Sequence, residues 1–152
     1  MGNTKSALHK RSTALDVVTH FAAAKGVPVG ELLAGSFAIV TGGNSGIGTE
    51  TVKALAHAGC RVLMGSRTVA NGEAALRDEI APPGLGGYAV PRAAELVRVA
   101  ALELEDAASV RAFADAARAQ AGAAGIHLLV LNAGIMALPS LERTNAGWEK
   151  QL

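Results

Sequence analysis

The sequence predicts an α/β fold, a parallel sheet with helices on both faces, and three observations carry that prediction. Short apolar runs alternate with longer stretches of helical period from residue 36 onward. A glycine-rich string, Thr41-Gly42-Gly43-Asn44-Ser45-Gly46-Ile47-Gly48, stands between the first apolar run and the helical stretch after it. Half of the residues are hydrophobic, only 3% are aromatic and 18 are glycine. The core must therefore be built from Ala, Val, Leu and Ile, as suits helices packed closely on a parallel sheet. A chain of 152 residues has room for one domain. Residues 1–35 are expected as a tail with an appended helix, and 36–152 as the unit that holds the sheet.

The elements follow in order. Ser12 to Lys25 reads as a helix, with Ser12 or Thr13 as cap and Asp16 three residues after Thr13, close to a capping box. Ala14, Val18, Phe21 and Ala22 share one face, and Gly26 followed by Pro28 stops the helix. It precedes the first strand, and so is free to pack on the sheet edge or on a partner. Phe37 to Val40 is the first strand. Thr49 to Ala58 continues the glycine string as a helix, with Ile47, Thr51, Ala54, Leu55 and Ala58 expected inward and Glu50, Lys53 and His57 outward. Gly59 ends it, and Arg61 to Met64 is the second strand, which completes a right-handed βαβ unit. Val69 to Ile80 is a weaker helix with Val69, Leu76 and Ile80 inward. Gly72 costs that helix about 1 kcal/mol relative to Ala. The stretch from Ala81 to Gly87 is a loop, and Tyr88 follows it as a loop or packing residue. Leu96 to Leu104 contains the third strand, ending in Leu102-Glu103-Leu104. Asp106 caps a helix with Val110, Phe113, Ala114 and Ala117 inward. His127 to Leu131 is the fourth strand, and its outer edge is expected to be exposed and apolar. The tail from Met136 reads as a loop leading into a helix.

The glycine string carries the chemistry. A helix start offers unpaired backbone N–H groups and a partial positive charge, which together bind phosphate. Gly42 suits a tight turn. Gly46 and Gly48 let the backbone approach a pyrophosphate, with Asn44, Ser45 and Ile47 beside them. The spacing Gly-x-x-x-Gly-x-Gly differs from the usual Gly-x-Gly-x-x-Gly, and a turn that merely needs flexible residues is the plainer alternative. The end of the second strand discriminates between cofactors. An Asp or Glu there would bind a ribose 2′-OH, as NAD requires, but this chain has Ser66-Arg67 and no acid until Glu73. Arg67 can grip a 2′-phosphate bidentately and Ser66 can donate to it, which favours NADP over NAD. The alternative for Arg67 is a solvated loop charge.

Other classes are disfavoured. A net charge of +1 without a basic block argues against nucleic acid as partner. The single Cys60 excludes an internal disulfide and a cysteine metal cluster, and reads as a buried apolar residue in a reducing compartment, cytoplasmic or organellar. No apolar run reaches the roughly 20 residues that span a bilayer. Gly2 with Ser6 matches an N-myristoylation pattern, but one acyl chain gives only marginal membrane binding, and an ordinary N-terminal tail is the preferred reading.

Four motifs in order resemble the short-chain dehydrogenase/reductases, closest to the retinol-dehydrogenase and WW-domain-oxidoreductase branch. They are Thr41 to Gly48 with Glu50-Thr51 after it, Arg67, Leu102-Glu103-Leu104 with Ser109-Val110-Arg111-Ala112-Phe113, and Leu131-Asn132-Ala133-Gly134. Gly147-Trp148-Glu149-Lys150-Gln151-Leu152 is similar to the family's approach to its next long helix. The resemblance covers residues 36 to 152 and implies a Rossmann-like doubly wound parallel sheet, incomplete at about four strands in the order 3-2-1-4, with an extra N-terminal helix. It implies that Gly42 to Gly48 bind the pyrophosphate and adenosine ribose, and that Arg67 binds the 2′-phosphate. Glu103 and Leu104 would flank the adenine. Asn132, Ala133 and Gly134 would lie along the cofactor, with Asn132 also bracing the sheet. Glu103 stands where the family usually has Asp, and Leu131 where it usually has a second Asn. In the family hydride passes between the nicotinamide and an alcohol or carbonyl carbon, while a Tyr serves as acid/base, a Lys holds the ribose and a Ser orients the substrate oxygen. These three are expected beyond this chain, for Tyr88 is followed at the required spacing by Arg92, not Lys. The resemblance thus implies the cofactor half of an NADP-dependent oxidoreductase, inactive as these 152 residues. A non-catalytic NADP(H)-binding or heterodimerising module, a truncated inactive product, and an NAD or other nucleotide binder of a different class stand as alternatives.

Overall fold

The computed structural model describes residues 8–82, 90 and 92–151. The pattern at Gly2, the loop from Pro83 to Gly87, Tyr88 and Leu152 lie outside the described residues. Four strands, β1 (Phe37–Thr41), β2 (Arg61–Ser66), β3 (Val97–Ala101) and β4 (Leu128–Val130), form one sheet in the order β3-β2-β1-β4. Every pairing is parallel, with Phe37 opposite Arg61, Val62 opposite Val97 and Ala38 opposite Leu128. The helices are α1 (Ala14–Lys25), α2 (Gly46–His57), α3 (Val69–Ala75), α4 (Ala93–Leu96) and α5 (Ala107–Ala121). After α3 the chain widens into a π-helical turn over Leu76–Ile80.

All five residues of β1 are buried, as expected for a strand covered on both faces. Successive side chains serve opposite layers. Ala38 and Val40 join Val52 and Ala56 of α2, Val62, Met64 and Ile80 in one core. Phe37 and Ile39 join Leu63, Leu102 and the α5 residues Phe113, Ala117 and Ala121 in the other. At the amino end of β1, His127 ties β4 in place: Phe37 N–H donates to its Nδ1 at 3.2 Å, and its own N–H donates to the Phe37 carbonyl at 2.9 Å.

Several expectations are corrected by this packing. The helix after the glycine string starts at Gly46, not Thr49; Ala54 and Ala58 are buried and Leu55 packs on the core as expected, but Thr49, Val52 and Ala56 are buried too. Ile47 is 80% exposed, because the first turn of α2 stands at the carboxyl edge of the sheet, where nothing lies above it. Lys53 is not fully outward: its side chain is only 13% exposed, with the amine on Glu50 at 2.7 Å. Val69 and Val110, both expected inward, are exposed near the starts of their helices. Gly72 is more than a weak point in a helix. A Cβ there would collide with Val99 and come within 3.2 Å of Ser66 Cβ, so its absence lets α3 sit on the sheet.

The third strand stops at Ala101, which leaves Glu103 and Leu104 in the turn before α5. The fourth is three residues long, at the sheet edge. The appended helix α1 packs on α2 rather than on the sheet edge. Its contact is a narrow strip that buries Ala22 and leaves Phe21, about 100° round the helix, exposed. The tail makes no helix among the described residues. Residues 142–150 form a closed turn, bridged between Arg143 and Glu149.

Candidate functional site

The site stands at the carboxyl edge of the sheet, where open α/β folds bind ligands. There β1 gives way to the turn Gly42–Ser45 and then to α2. Gly42 has φ 62° and donates its N–H to the Gly65 carbonyl at 2.9 Å. A Cβ on it would come within 2.9 Å of Ala133 Cα. Gly48 is tighter still. A Cβ there would strike the Gly42 carbonyl and lie 2.6 Å from Asn132 Nδ2. Gly43 has no room either, since a Cβ would sit 2.6 Å from Met64 Cγ and 2.9 Å from Val52 Cγ2.

The end of β4 locks this turn. The Asn132 amide donates to the Thr41 and Gly42 carbonyls, each at 3.1 Å. The Ala133 N–H donates to the buried Thr41 Oγ1 at 3.0 Å. Thr41 and Gly43 both stand in the string that carries the family resemblance, but the sequence does not show what the structure adds: the Thr41 hydroxyl as an acceptor for Ala133 and the lack of room for a Cβ at Gly43.

The start of α2 differs from the other long helix starts. Thr13 caps α1, Thr68 caps α3 and Asp106 caps α5, each through its side chain. Ser45, at the N-cap of α2, makes no such bond, and the first turn holds no carboxylate. The first-turn N–H groups of α2 thus keep their capacity for an anion. Ser45, Gly46 and Ile47 are exposed around them, and Asn44 is half-buried.

At the end of β2, Ser66 and Arg67 part company. Ser66 is 2% exposed, and its Oγ has no partner among the described residues. Arg67 is exposed and makes no ion pair among them. The strand beyond is close by, for Leu102 N–H donates to the Ser66 carbonyl at 2.7 Å. Glu103 follows, half-buried, with its N–H on Ser109 Oγ at 2.9 Å. Its carboxylate accepts the Glu105 N–H at 3.1 Å. Leu104 is 52% exposed. Ala133 is half-buried and Gly134 exposed, with open space where a Cβ of Gly134 would be.

Two features lie away from this edge. Cys60 is wholly buried where α2 hands over to β2, and burial pushes its thiol up to about 11, the state of an inert packing residue. An open hollow of about 370 Å³ at the amino ends of the strands is lined by Phe37, Arg61, Arg98 and Gln120 among others. Its Arg61 stacks on Phe37 and donates to the Gln120 carbonyl at 3.1 Å. Among the described residues no group of His, Cys, Asp and Glu is placed to hold a metal, and no helix is long and apolar enough to cross a membrane.

Comparison with known proteins agrees with this geometry. The family model for short chain dehydrogenase matches residues 36–152. A "Probable oxidoreductase" of Streptomyces lividans is 45% identical over 120 residues, which are 79% of this chain and 35% of that protein. Retinol dehydrogenase 11 of Mus musculus is 41% identical over 120 residues, 79% of this chain and 34% of that protein. A metagenomic short-chain oxidoreductase solved in complex with NADP superposes with a TM-score of 0.54 at 28% identity, covering 68% of this chain and 40% of that one. The chain thus spans about a third of the length of these curated relatives. With its parallel sheet in the order β3-β2-β1-β4 and its glycine turn at the carboxyl edge, the chain belongs to the short-chain dehydrogenase family.

Proposed function

We propose that the chain is the cofactor-binding portion of an NADP-dependent oxidoreductase that acts on alcohol or carbonyl groups. The observation that carries this reading is the start of α2: a helix with no side-chain cap and no acid in its first turn, above a glycine turn held rigid by Asn132. Such a start suits the pyrophosphate of a dinucleotide. Arg67, exposed and free of ion pairs among the described residues, would grip the 2′-phosphate. The buried Ser66 hydroxyl lies behind it and would need a small opening to take part. Leu104 would cover one face of the adenine, and Ala133 and Gly134 would lie along the cofactor. The chemistry such a cofactor supplies is hydride transfer. No Tyr-x-x-x-Lys stands in these 152 residues, so they are expected to bind without turnover.

Titration of the chain with NADPH and NADH tests the reading. NADPH should bind the more tightly, and Arg67→Ala should weaken NADPH roughly ten- to a hundredfold, the loss of a charge-assisted contact, while NADH changes little. Equal binding of the two dinucleotides would remove Arg67 from this role and favour a nucleotide binder of another class. Measurable NADPH oxidation by the chain would instead overturn the expectation of no turnover. If the chain is stable and monodisperse and binds NADPH without turnover, the non-catalytic binding module becomes the reading to pursue.

A further inference from the structure

The closed turn at 142–150 folds back to the turn between β3 and α5. Lys150 Nζ lies 3.2 Å from Glu142 Oε2 and 3.5 Å from Glu105 Oε2. Its backbone N–H donates to the Glu142 carbonyl at 3.1 Å. The rest of the turn is held by its own bonds: Thr144 N–H to the Trp148 carbonyl at 2.8 Å, and Arg143 Nη1 to the Gly147 carbonyl at 2.8 Å. A short, self-contained unit thus presents one ammonium to a second loop. That loop is the one containing Glu103 and Leu104. Glu105, which receives the ammonium, donates its own N–H to the Glu103 carboxylate. Arg67 is a near neighbour through the sheet, since Ser66 pairs with Ala101 and bonds Leu102.

An isolated surface ion pair contributes little. Lys150 differs in two respects. Its side chain is only 25% exposed, and it serves two carboxylates whose side chains are 42% and 44% exposed. The Glu142 hydrogen bond, and then the charge of Glu105, raise its pKa above the ordinary lysine value. Without the ammonium, Glu105 and Glu142 would lose the cation that they share, and Glu105 stands in sequence between the acids Glu103 and Asp106. That negative field would lie at the end of the sheet where Arg67 stands.

Resting on the cofactor reading above, we propose that Lys150 is a positioning residue for NADP. It holds the β3–α5 turn in place and neutralises two carboxylates that would otherwise repel a 2′-phosphate. It touches the dinucleotide only through that turn.

Isothermal titration of the 152-residue chain with NADPH and with NADH, at low and high salt, tests this. Lys150→Met should weaken NADPH about three- to tenfold, in keeping with the modest worth of a partly covered charge network, and NADH less. Lys150→Arg should bind as wild type does. Adding Glu105→Gln to Lys150→Met should recover most of the loss, since it removes one of the stranded charges. High salt should shrink the difference between the two dinucleotides. If Lys150→Met binds NADPH as wild type does, or weakens both dinucleotides equally at either salt, the inference fails while the cofactor reading stands. If the wild-type chain binds neither dinucleotide, the cofactor reading fails and takes this inference with it.

Discussion

Gly48 sits within a helix, where alanine is the better former by about 1 kcal/mol. Gly48→Ala should nevertheless destabilise the chain by about 2–4 kcal/mol, because the new methyl would meet the Gly42 carbonyl and the Asn132 amide. Urea unfolding gives the sign, and a stabilised variant would mean that the turn yields easily. Asn132→Leu keeps the branched outline of the side chain and removes both amide bonds, leaving the Thr41 and Gly42 carbonyls short of a donor. A loss of about 1–3 kcal/mol is expected in the same measurement. At this scale the sequence is legible where a residue's chemistry is local. Gly42 and Gly48 are marked by their spacing, and Asp106 as a cap by its place before a helix. It is not legible where burial depends on neighbours distant in sequence. Ser66 reads as a surface donor until α3 closes over it at Gly72, and Glu103 reads as a free carboxylate until its own turn supplies the Glu105 N–H.

Helix α1 illustrates the same division one level up. Its cap is written in Thr13 and Asp16, and the capping box forms. Its resting place on α2 is not, since an alanine-rich helix can suit several surfaces. The Thr13 backbone N–H and then the Thr13 hydroxyl hold the Asp16 carboxyl below its ordinary value. A carboxylate depressed in the folded state contributes its stability above the unfolded pKa and loses it as the pH falls through the folded one. The docking of α1 should therefore be constant from neutrality to about pH 5 and weaken below about pH 4. Asp16→Asn should abolish that step. Amide exchange of α1 residues against pH checks both, and an identical acid profile in the variant would show the box to be inconsequential. Helix α2 shows why period alone misplaces a face. An inward face drawn through Ile47, Thr51, Ala54, Leu55 and Ala58 includes Ile47 and leaves out Val52 and Ala56, whereas Val52 and Ala56 join the core and Thr49 is buried beside them.

For the molecule as a whole, the sheet order is the one that the family resemblance implies, and the right-handed crossovers then set which face each helix covers. Among the described residues that order leaves the outer edge of β4 unpaired. Leu128, Leu129 and Val130 pair with β1 on their inner side, and Leu129 and Leu131 are 60% and 76% exposed. The segment has no proline or charge of the kind that guards an edge. The isolated chain should associate as its concentration rises, and the double substitution Leu129→Lys with Leu131→Lys should suppress this without moving the α2 turn. Light scattering across a dilution series decides it, and equal scattering would place the sticky surface elsewhere. The bond from Asn132 to Thr41 spans 91 positions of chain. Closing so long a loop carries a large entropic cost, which is met only once the sheet exists to receive β4. The glycine turn therefore has a history as well as a shape. During synthesis Gly42 emerges before β2, β3 and α5, and the two bonds from Asn132 can form only once residue 132 has arrived. A chain halted anywhere before that residue would carry the whole glycine motif and still lack the lock that sets it.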